Sequence, residues 1–203
     1  MAESASISPV PVGRPAVTSR AHLEKISLAM FSSQGFDVTS VDEIAAAAGI
    51  GRRTFFRYFK SKNDAAWGDF DAQLASFAGW FERCPADLPV VDAICAGVIE
   101  FNSFDAEATA SLRSRMSVIL SSPALQAYST LRYRAWREVV SRFAAGRLGV
   151  AEDALVPRTL GHLALGCALS AYEQWLADDD LDLLPLLRTS LALLTVPPDG
   201  HRR

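Results

Sequence analysis

Residues Thr39 to Lys62 read TSVDEIAAAAGIGRRTFFRYFKSK, and this stretch decides the fold of the chain. Ser40 and Glu43 have the S-x-x-E spacing of a capping box, in which each side chain satisfies a backbone donor of the other. The apolar residues that follow recur at helical spacing as far as Gly49, a residue type that ends helices because it adopts left-handed backbone angles easily. The pattern predicts a short helix followed by a tight turn.

A second short helix is predicted directly after the turn, from Arg52 to about Tyr58. Phe55 and Phe59 are four residues apart, so they share one face of this helix and are expected in the core. The other faces are basic, with four cations within nine residues: Arg52, Arg53, Arg57 and Lys60. Two short helices across a glycine turn, the second one basic, predict a helix-turn-helix that places its second helix in the major groove of DNA.

The same residues resemble a known family. Residues from about Thr18 to Phe70 are similar to the DNA-binding domain of the TetR family of bacterial regulators, whose recognition-helix signature is matched by GRRTFFRYFKSKND. The longer segment GRRTFFRYFKSKNDAAWGDFD resembles the regulators associated with mycofactocin biosynthesis in actinobacteria. The resemblance implies a first helix, here Thr18 to Ser33, before the helix-turn-helix, then a ligand-binding domain that dimerises through its last two helices.

The helix-turn-helix also predicts which side chains meet DNA. Base edges are usually reached from the start of the recognition helix, and bidentate Arg to guanine is the commonest specific contact. We therefore expect Arg52 or Arg53 to read bases, with Thr54 as a second candidate. Thr39, Tyr58, Lys60 and Lys62 are expected to hold phosphates. The complete predicted DNA-binding set is Thr39, Gly51, Arg52, Arg53, Thr54, Phe56, Arg57, Tyr58, Lys60 and Lys62.

Two positions depart from the family pattern. Many family members have Ser or Thr where this chain has Gly51, and Tyr where it has Phe56, so two hydroxyl contacts to phosphate are lost here.

The distribution of charge nevertheless favours DNA binding. The chain has a net charge of −3, but residues 14–62 hold eight Lys or Arg against four Asp or Glu. Cations concentrated at the helix-turn-helix are the electrostatic footprint of a DNA-binding domain.

The composition limits which class of protein this can be and how its domains are arranged. Half of its 203 residues are hydrophobic, which is enough for a sizeable core. The three cysteines, Cys84, Cys95 and Cys167, lack metal-ligand spacing and suit a reducing cytoplasm. The N-terminus has no apolar region of a signal peptide, and no run is apolar enough to span a membrane. We predict a disordered arm at 1–17, a DNA-binding domain at 18–62, an effector-binding and dimerisation domain at 63–196, and a disordered tail at 197–203.

No strand pattern stands out, so the predicted fold class is all-α. Helices are predicted at 62–83, 87–104, 106–120, 123–147, 154–178 and 182–195. With three small N-terminal helices, this makes about nine. The last two are rich in apolar and small residues, which predicts a homodimer with a four-helix bundle at its interface. The expected interface residues are Leu160, Leu163, Ala164, Cys167, Ala171, Trp175, Leu184, Leu187, Leu191 and Leu194. The alternative is the interior of a monomeric bundle.

The middle helices are expected to hold a small effector. Their aromatic residues suit an apolar cavity, and several arginines suit a phosphate or carboxylate, so an amphipathic anion such as an acyl thioester fits both. The candidate residues are Trp80, Phe101, Asn102, Phe104, Arg113, Arg115, Met116, Tyr133 and Trp136. For any single aromatic residue, ordinary core packing is the competing interpretation.

We predict that the protein is a transcriptional regulator, and we prefer a repressor to an activator. No motif of a catalytic, metal-binding or nucleotide-binding site occurs, so no catalytic residue, metal or cofactor is predicted. The expected partners are double-stranded operator DNA with a pseudo-palindromic sequence, a second copy of the chain, and a small-molecule effector. The alternative is an all-α enzyme or small-molecule carrier in which the basic helix is incidental.

Overall fold

The computed structural model describes residues 18–195, which form ten α-helices and no strand. The all-α prediction is therefore confirmed. The predicted arm at 1–17 and the tail at 197–203 lie outside the described residues, as does residue 196. Within residues 18–195, no helix is both long enough and apolar enough to cross a membrane. The helices are α1 (Arg20–Gln34), α2 (Val41–Ala47), α3 (Arg52–Tyr58), α4 (Lys62–Trp67), α5 (Phe70–Arg83), α6 (Val90–Phe101), α7 (Ala106–Ser121), α8 (Pro123–Leu148), α9 (Leu155–Ala177) and α10 (Leu183–Ala192).

The described residues form ten helices where about nine were expected, because the stretch predicted as one helix at 62–83 is two helices. Gly68 has φ 65° and ψ −146° and ends α4, and its N–H still bonds to the Asp64 carbonyl. This positive φ is a conformation that residues with a Cβ rarely adopt, so the position favours glycine. A single glycine in a helical pattern is tolerated often enough that the sequence did not show this break.

The turn between α2 and α3 is a Schellman motif. The Ser40 hydroxyl accepts a bond from the Glu43 N–H and the Glu43 side chain accepts one from the Ser40 N–H, so the predicted capping box is present. At the other end of α2, the Gly49 N–H bonds to the Ala46 carbonyl and the Ile50 N–H to the Ala45 carbonyl. Gly49 has φ 66°, the left-handed conformation that this motif requires.

A small aromatic core holds the first helices together. Leu23, Ile44, Phe55 and Phe59 are all at least 98% buried, and the rings of Phe55 and Phe59 lie 5.3 Å apart between centroids. The pairing of Phe55 and Phe59 on one buried face is therefore as the spacing predicted. Burying this face leaves the basic side of α3 turned outward.

The remaining helices form a larger bundle around α8 and α9, which pack along each other. Gly161 on α9 allows this approach, because a Cβ there would lie 2.8 Å from the Ser141 hydroxyl and 3.0 Å from the Arg137 carbonyl oxygen. α10 packs against α9 and α6 with Leu187 and Leu191 buried. α4 and α7 both contact α1, so the two parts of the chain share an interface.

Candidate DNA-binding surface and ligand cavity

The outer face of α3 is basic and exposed. Arg52, Arg53, Arg57 and the following Lys60 are all exposed, and Thr54 is half-buried beside them. Phe56 is also exposed, at 41% of its surface. Gly51 is the N-cap residue of α3 and provides no side-chain cap, which leaves the N-terminal amides of the helix without a hydroxyl partner from this residue. These residues form one continuous surface of the kind that enters a DNA groove.

Arg52 is held in place by an ion pair at the start of α3. Its guanidinium lies 2.8 Å from Asp42 Oδ2 and 5.3 Å from the centre of the Phe56 ring. Both members of the ion pair are more than half exposed, so the pair contributes little to stability. Its effect is to orient Arg52 over the start of α3, while Arg53 makes no ion pair with any residue that the structure describes.

Three of the residues predicted to hold phosphates make hydrogen bonds inside the protein. Thr39 is 99% buried and its hydroxyl donates to the Gly35 carbonyl. Lys62 Nζ donates to the carbonyls of Phe36 and Thr39, at 2.7 and 2.9 Å, and ties the loop before α2 to the start of α4. The Tyr58 hydroxyl donates to the Thr18 carbonyl. Sequence spacing did not show the bonds of Lys62 and Tyr58 because they join residues 23 to 40 positions apart.

An apolar cavity of about 60 Å³ lies among α4 to α9. Six of the nine predicted effector residues line it: Phe101, Asn102, Arg115, Met116, Tyr133 and Trp136. Trp80 and Phe104 instead line an outer groove of about 420 Å³ between α5 and α6, which shares Gln73 and Phe101 with the cavity.

Arg113 was expected at the cavity but does not line it. Its guanidinium donates to the carbonyls of Trp175 and Asp178 and to the Asp179 carboxylate, so it closes the C-terminal end of α9. Arg115 does line the cavity, but its terminal nitrogens are bonded to the Ala66 carbonyl and the Glu24 carboxylate. Both arginines link α7 to another helix through hydrogen bonds, Arg113 to α9 and Arg115 to α4. The sequence did not predict these links.

Several cavity residues were missed by the sequence analysis. Five of them come from α4 and α9, and tertiary packing alone brings these to the middle helices, while the other four lie on α5 and α7 themselves. All but Gln73 are apolar or aromatic, and that signal does not separate a cavity wall from an ordinary core. The missed residues are Trp67, Phe70, Gln73, Leu112, Ile119, Leu165, Ala168, Leu169 and Tyr172.

A buried carboxylate connects α4 to the larger bundle. Asp64 is 92% buried and accepts hydrogen bonds from the Tyr128 hydroxyl at 2.6 Å and from Arg132 at 2.8 Å. Burial acts to raise the pKa of Asp64, but the bonds from Tyr128 and Ser61 and the charge of Arg132 lower it below its ordinary value. Arg132 also bonds to the exposed Asp71 carboxylate. The ionised form of Asp64 thus holds α4 against α8.

The predicted dimer residues divide into two groups. Ala164, Ala171, Trp175, Leu187 and Leu191 are buried inside the protomer and cannot meet a partner through their side chains. Leu160, Cys167, Leu184 and Leu194 are half-buried. Leu163 is 49% exposed and lies on a face of α9 with the exposed Val156, Thr159, Gly166 and Ser170. The sequence did not separate the two faces of α9, because both carry apolar and small residues.

A basic helix-turn-helix joined to a helical bundle with an internal cavity has the architecture of a ligand-responsive DNA-binding regulator. Family models match both parts. Residues 26–64 match the bacterial regulatory proteins of the tetR family, and residues 88–197 match the MftR C-terminal domain. The chain belongs to the TetR family of transcriptional regulators, with a C-terminal domain of the MftR type.

Individual relatives agree with this assignment. A protein of Mycobacterium tuberculosis named as a mycofactocin biosynthesis transcriptional regulator, MftR, is 44% identical over 176 residues, which cover 87% of this chain and 89% of that protein. SmeT, a repressor from Stenotrophomonas maltophilia, has a similar fold with a TM-score of 0.59 at 22% identity, covering 90% of this chain and 92% of its own. The FadR repressor of Thermus thermophilus, solved with lauroyl-CoA, has a TM-score of 0.59 at 20% identity, covering 91% and 99%.

The Asp64 network predicts a pH-dependent loss of stability. Asp64→Asn should lower the free energy of unfolding at pH 7 by about 2 kcal/mol, because Arg132 and Tyr128 lose a charged acceptor. The folded pKa is depressed, so this stabilisation is complete above the ordinary value of 3.8 and is lost as pH falls below it through the folded pKa. Urea unfolding of wild type and variant from pH 7 to pH 3 should show the difference shrink at the acid end.

Asp71→Asn is the matched control, because Asp71 bonds to the same arginine but its side chain is 83% exposed. Its effect should be below about 0.5 kcal/mol. Equal effects of the two variants, or a difference for Asp64→Asn that does not change with pH, would contradict this account.

Proposed function

We propose that the protein is a transcriptional repressor that binds a pseudo-palindromic operator as a homodimer, inserting α3 of each protomer into the major groove. The observation that carries this proposal is the exposed basic face of α3, held at a fixed angle by the Schellman turn and the buried Phe55 and Phe59. Arg52 and Arg53 stand at the N-terminal end of α3, where base edges are usually read. The exposed Arg57 and Lys60 suit phosphates.

A small-molecule effector is proposed for the cavity. Its mostly apolar wall suits the chain of an acyl thioester, and the similar fold of the Thermus thermophilus FadR, solved with lauroyl-CoA, supports the same class. The outer groove adjoins the cavity at Gln73 and Phe101, so it offers an exit for the polar end of such a molecule. Its charged residues are Arg83 and the carboxylates of Glu24, Asp69 and Glu100.

The size of the cavity implies how the effector acts. A volume of about 60 Å³ is smaller than the ~150 Å³ of an engineered cavity that admits benzene, so an acyl chain requires the surrounding helices to move apart. A ligand that binds only the opened form shifts the population toward that form. Because α4 is part of the cavity wall and is bonded to α8 through Asp64, opening moves the helix that joins the two domains. This is the mechanism that we propose for release of the operator.

The dimer is proposed to form through the exposed face of α9 that contains Leu163 and Gly166. This face is distinct from the buried one with Ala164 and Trp175, and its small residues permit close approach of a second helix. A twofold dimer presents its two recognition helices about 34 Å apart, one turn of DNA. The predicted localisation, in the cytoplasm with the DNA, belongs to this proposal, as does the absence of enzymatic activity.

The first test concerns the reading of DNA. Arg52→Ala should weaken binding to the operator in the protein's own promoter by about 10- to 100-fold, while the thermal stability of the dimer stays the same, because the Arg52–Asp42 pair is exposed. Arg142→Ala is the control, since it breaks a comparable exposed pair with Glu152 on α8. A fluorescence-anisotropy titration in which both variants keep wild-type operator affinity would exclude Arg52 from recognition.

The second test concerns the effector. Lauroyl-CoA should release the operator from the wild-type protein in a mobility-shift assay. Free coenzyme A should not, because it lacks the acyl chain that would occupy the apolar cavity. If neither compound changes operator binding, the acyl thioester class is excluded while the DNA-binding function stands.

The third test concerns the dimer. Leu163→Glu should convert the protein to a monomer in analytical ultracentrifugation and lower operator affinity, because two charges would meet at the interface. Leu131→Glu is the control, since Leu131 is a 65% exposed leucine on α8, outside the proposed interface. A Leu163→Glu protein that remains a dimer would place the interface elsewhere.

A further inference from the structure

Two hydrogen-bond donors in the cavity wall are buried without a partner. The indole Nε1 of Trp67 and the hydroxyl of Tyr133 are inaccessible to solvent and make no hydrogen bond of normal geometry within residues 18–195. Burial raises the pKa of Tyr133 and the Ser129 hydroxyl, one turn before it on α8, acts to lower it, but that hydroxyl donates its own proton to the Leu125 carbonyl. The Trp67 and Tyr133 side chains both line the cavity, and their rings meet edge to face with centroids 5.7 Å apart. Trp67 is 96% buried. Buried donors are almost always paired in folded proteins, so two in one cavity indicate a missing acceptor.

The rest of the wall does not supply that acceptor. The Tyr172 hydroxyl donates to the Asn102 side-chain oxygen, and the Asn102 amide donates to the Val98 carbonyl. Arg115 is a donor already bonded to a carbonyl and a carboxylate. Gln73 is the other polar residue of the wall and is exposed at the rim. No residue of the wall supplies the acceptor, so it is left to a molecule that enters the cavity, either water or the effector.

The chemistry of the wall also restricts the charge of that molecule. Burial raises the pKa of Tyr133, so its hydroxyl keeps its proton at neutral pH and remains a donor. The guanidinium of Arg115 is paired with the Glu24 carboxylate, so the ion pair as a whole is neutral. A carboxylate in this cavity would be desolvated without a compensating cation, whereas an uncharged oxygen would not.

We propose that the part of the ligand inside the cavity is uncharged and mainly apolar, and that its carbonyl oxygen accepts hydrogen bonds from Trp67 Nε1 and Tyr133 OH. This inference rests on the proposed function of the cavity as the effector site. A ketone, an ester or the carbonyl of a thioester meets the requirement. Trp67 belongs to α4, so the ligand oxygen bonds directly to the helix that joins the DNA-binding residues to the bundle.

The test compares two small probes that differ in the acceptor alone: pentan-2-one, and 2-methylpentane, in which a methyl group replaces the oxygen. Tyr133→Phe removes one hydroxyl and should raise the ratio of the ketone Kd to the hydrocarbon Kd by about three- to tenfold, with the hydrocarbon Kd unchanged. Comparing this ratio between wild type and variant cancels the difference in hydration of the probes. Tyr58→Phe is the control, because its hydroxyl bonds to the Thr18 carbonyl and Tyr58 does not line the cavity.

An unchanged ratio in Tyr133→Phe, or no binding of either probe to the wild-type protein, would overturn the proposal. Pentanoate should bind more weakly than pentan-2-one, and tighter binding of the carboxylate would overturn the assignment of an uncharged ligand. The unliganded Tyr133→Phe protein should unfold at the same temperature as wild type or higher, because it loses an unpaired hydroxyl.

A measurement on the unmodified cavity gives an independent check. The indole N–H resonance of Trp67, identified by its absence in Trp67→Phe, should move downfield with pentan-2-one and stay in place with 2-methylpentane. A resonance that responds equally to both probes contradicts the hydrogen bond. Operator affinity is measured separately. Operator binding without a preference for the ketone would contradict this inference and leave the proposed function intact. A preference for the ketone without operator binding would contradict the proposed function and leave the carbonyl site intact.

Discussion

The position of the six-residue helix α4 depends on one buried carboxylate, and the rest of the structure depends on the position of α4. Asp64 in its first turn bonds to Tyr128 and Arg132 of α8, while Lys62 at its start bonds to carbonyls of the loop before α2. Trp67 at its end forms part of the cavity wall. A change in the cavity therefore acts on the same short helix that holds the helix-turn-helix in place.

Arginine has two separate uses in this protein. On α3 its side chains are exposed and available to DNA. Elsewhere it bonds across the fold to carbonyls near the ends of helices, where backbone acceptors have no partner within the helix. Arg113 bonds to a carbonyl near the end of α9, and Arg115 bonds to one near the end of α4. Arg147 of α8 bonds to a carbonyl in the loop after α5. The guanidinium suits this use because it presents five donors in a rigid plane and stays charged.

The cavity combines small size with incomplete hydrogen bonding. In the described state its aromatic walls leave about 60 Å³, while Trp67 and Tyr133 keep unpaired donors. Both features make the unliganded packing less stable than a filled core would be. A ligand that widens the cavity and supplies an acceptor relieves the second defect, and this offsets part of the cost of moving the helices. The same defects that weaken the packing thus favour a response to a ligand.

The amino-acid sequence by itself determined the local features. The capping box, the Gly49 turn, the buried pair Phe55 and Phe59 and the exposed cations of α3 follow from spacings of ten residues or fewer, over which helix geometry dictates the contacts. Six of the nine predicted effector residues also line the cavity, because large side chains on the middle helices are buried where those helices meet. The tertiary structure alone decided the break at Gly68, the inward bonds of Lys62, the exposed face of α9, and the place of Trp67 in the cavity. These depend on contacts between residues far apart in the chain, and helical periodicity carries no information about which helix lies opposite.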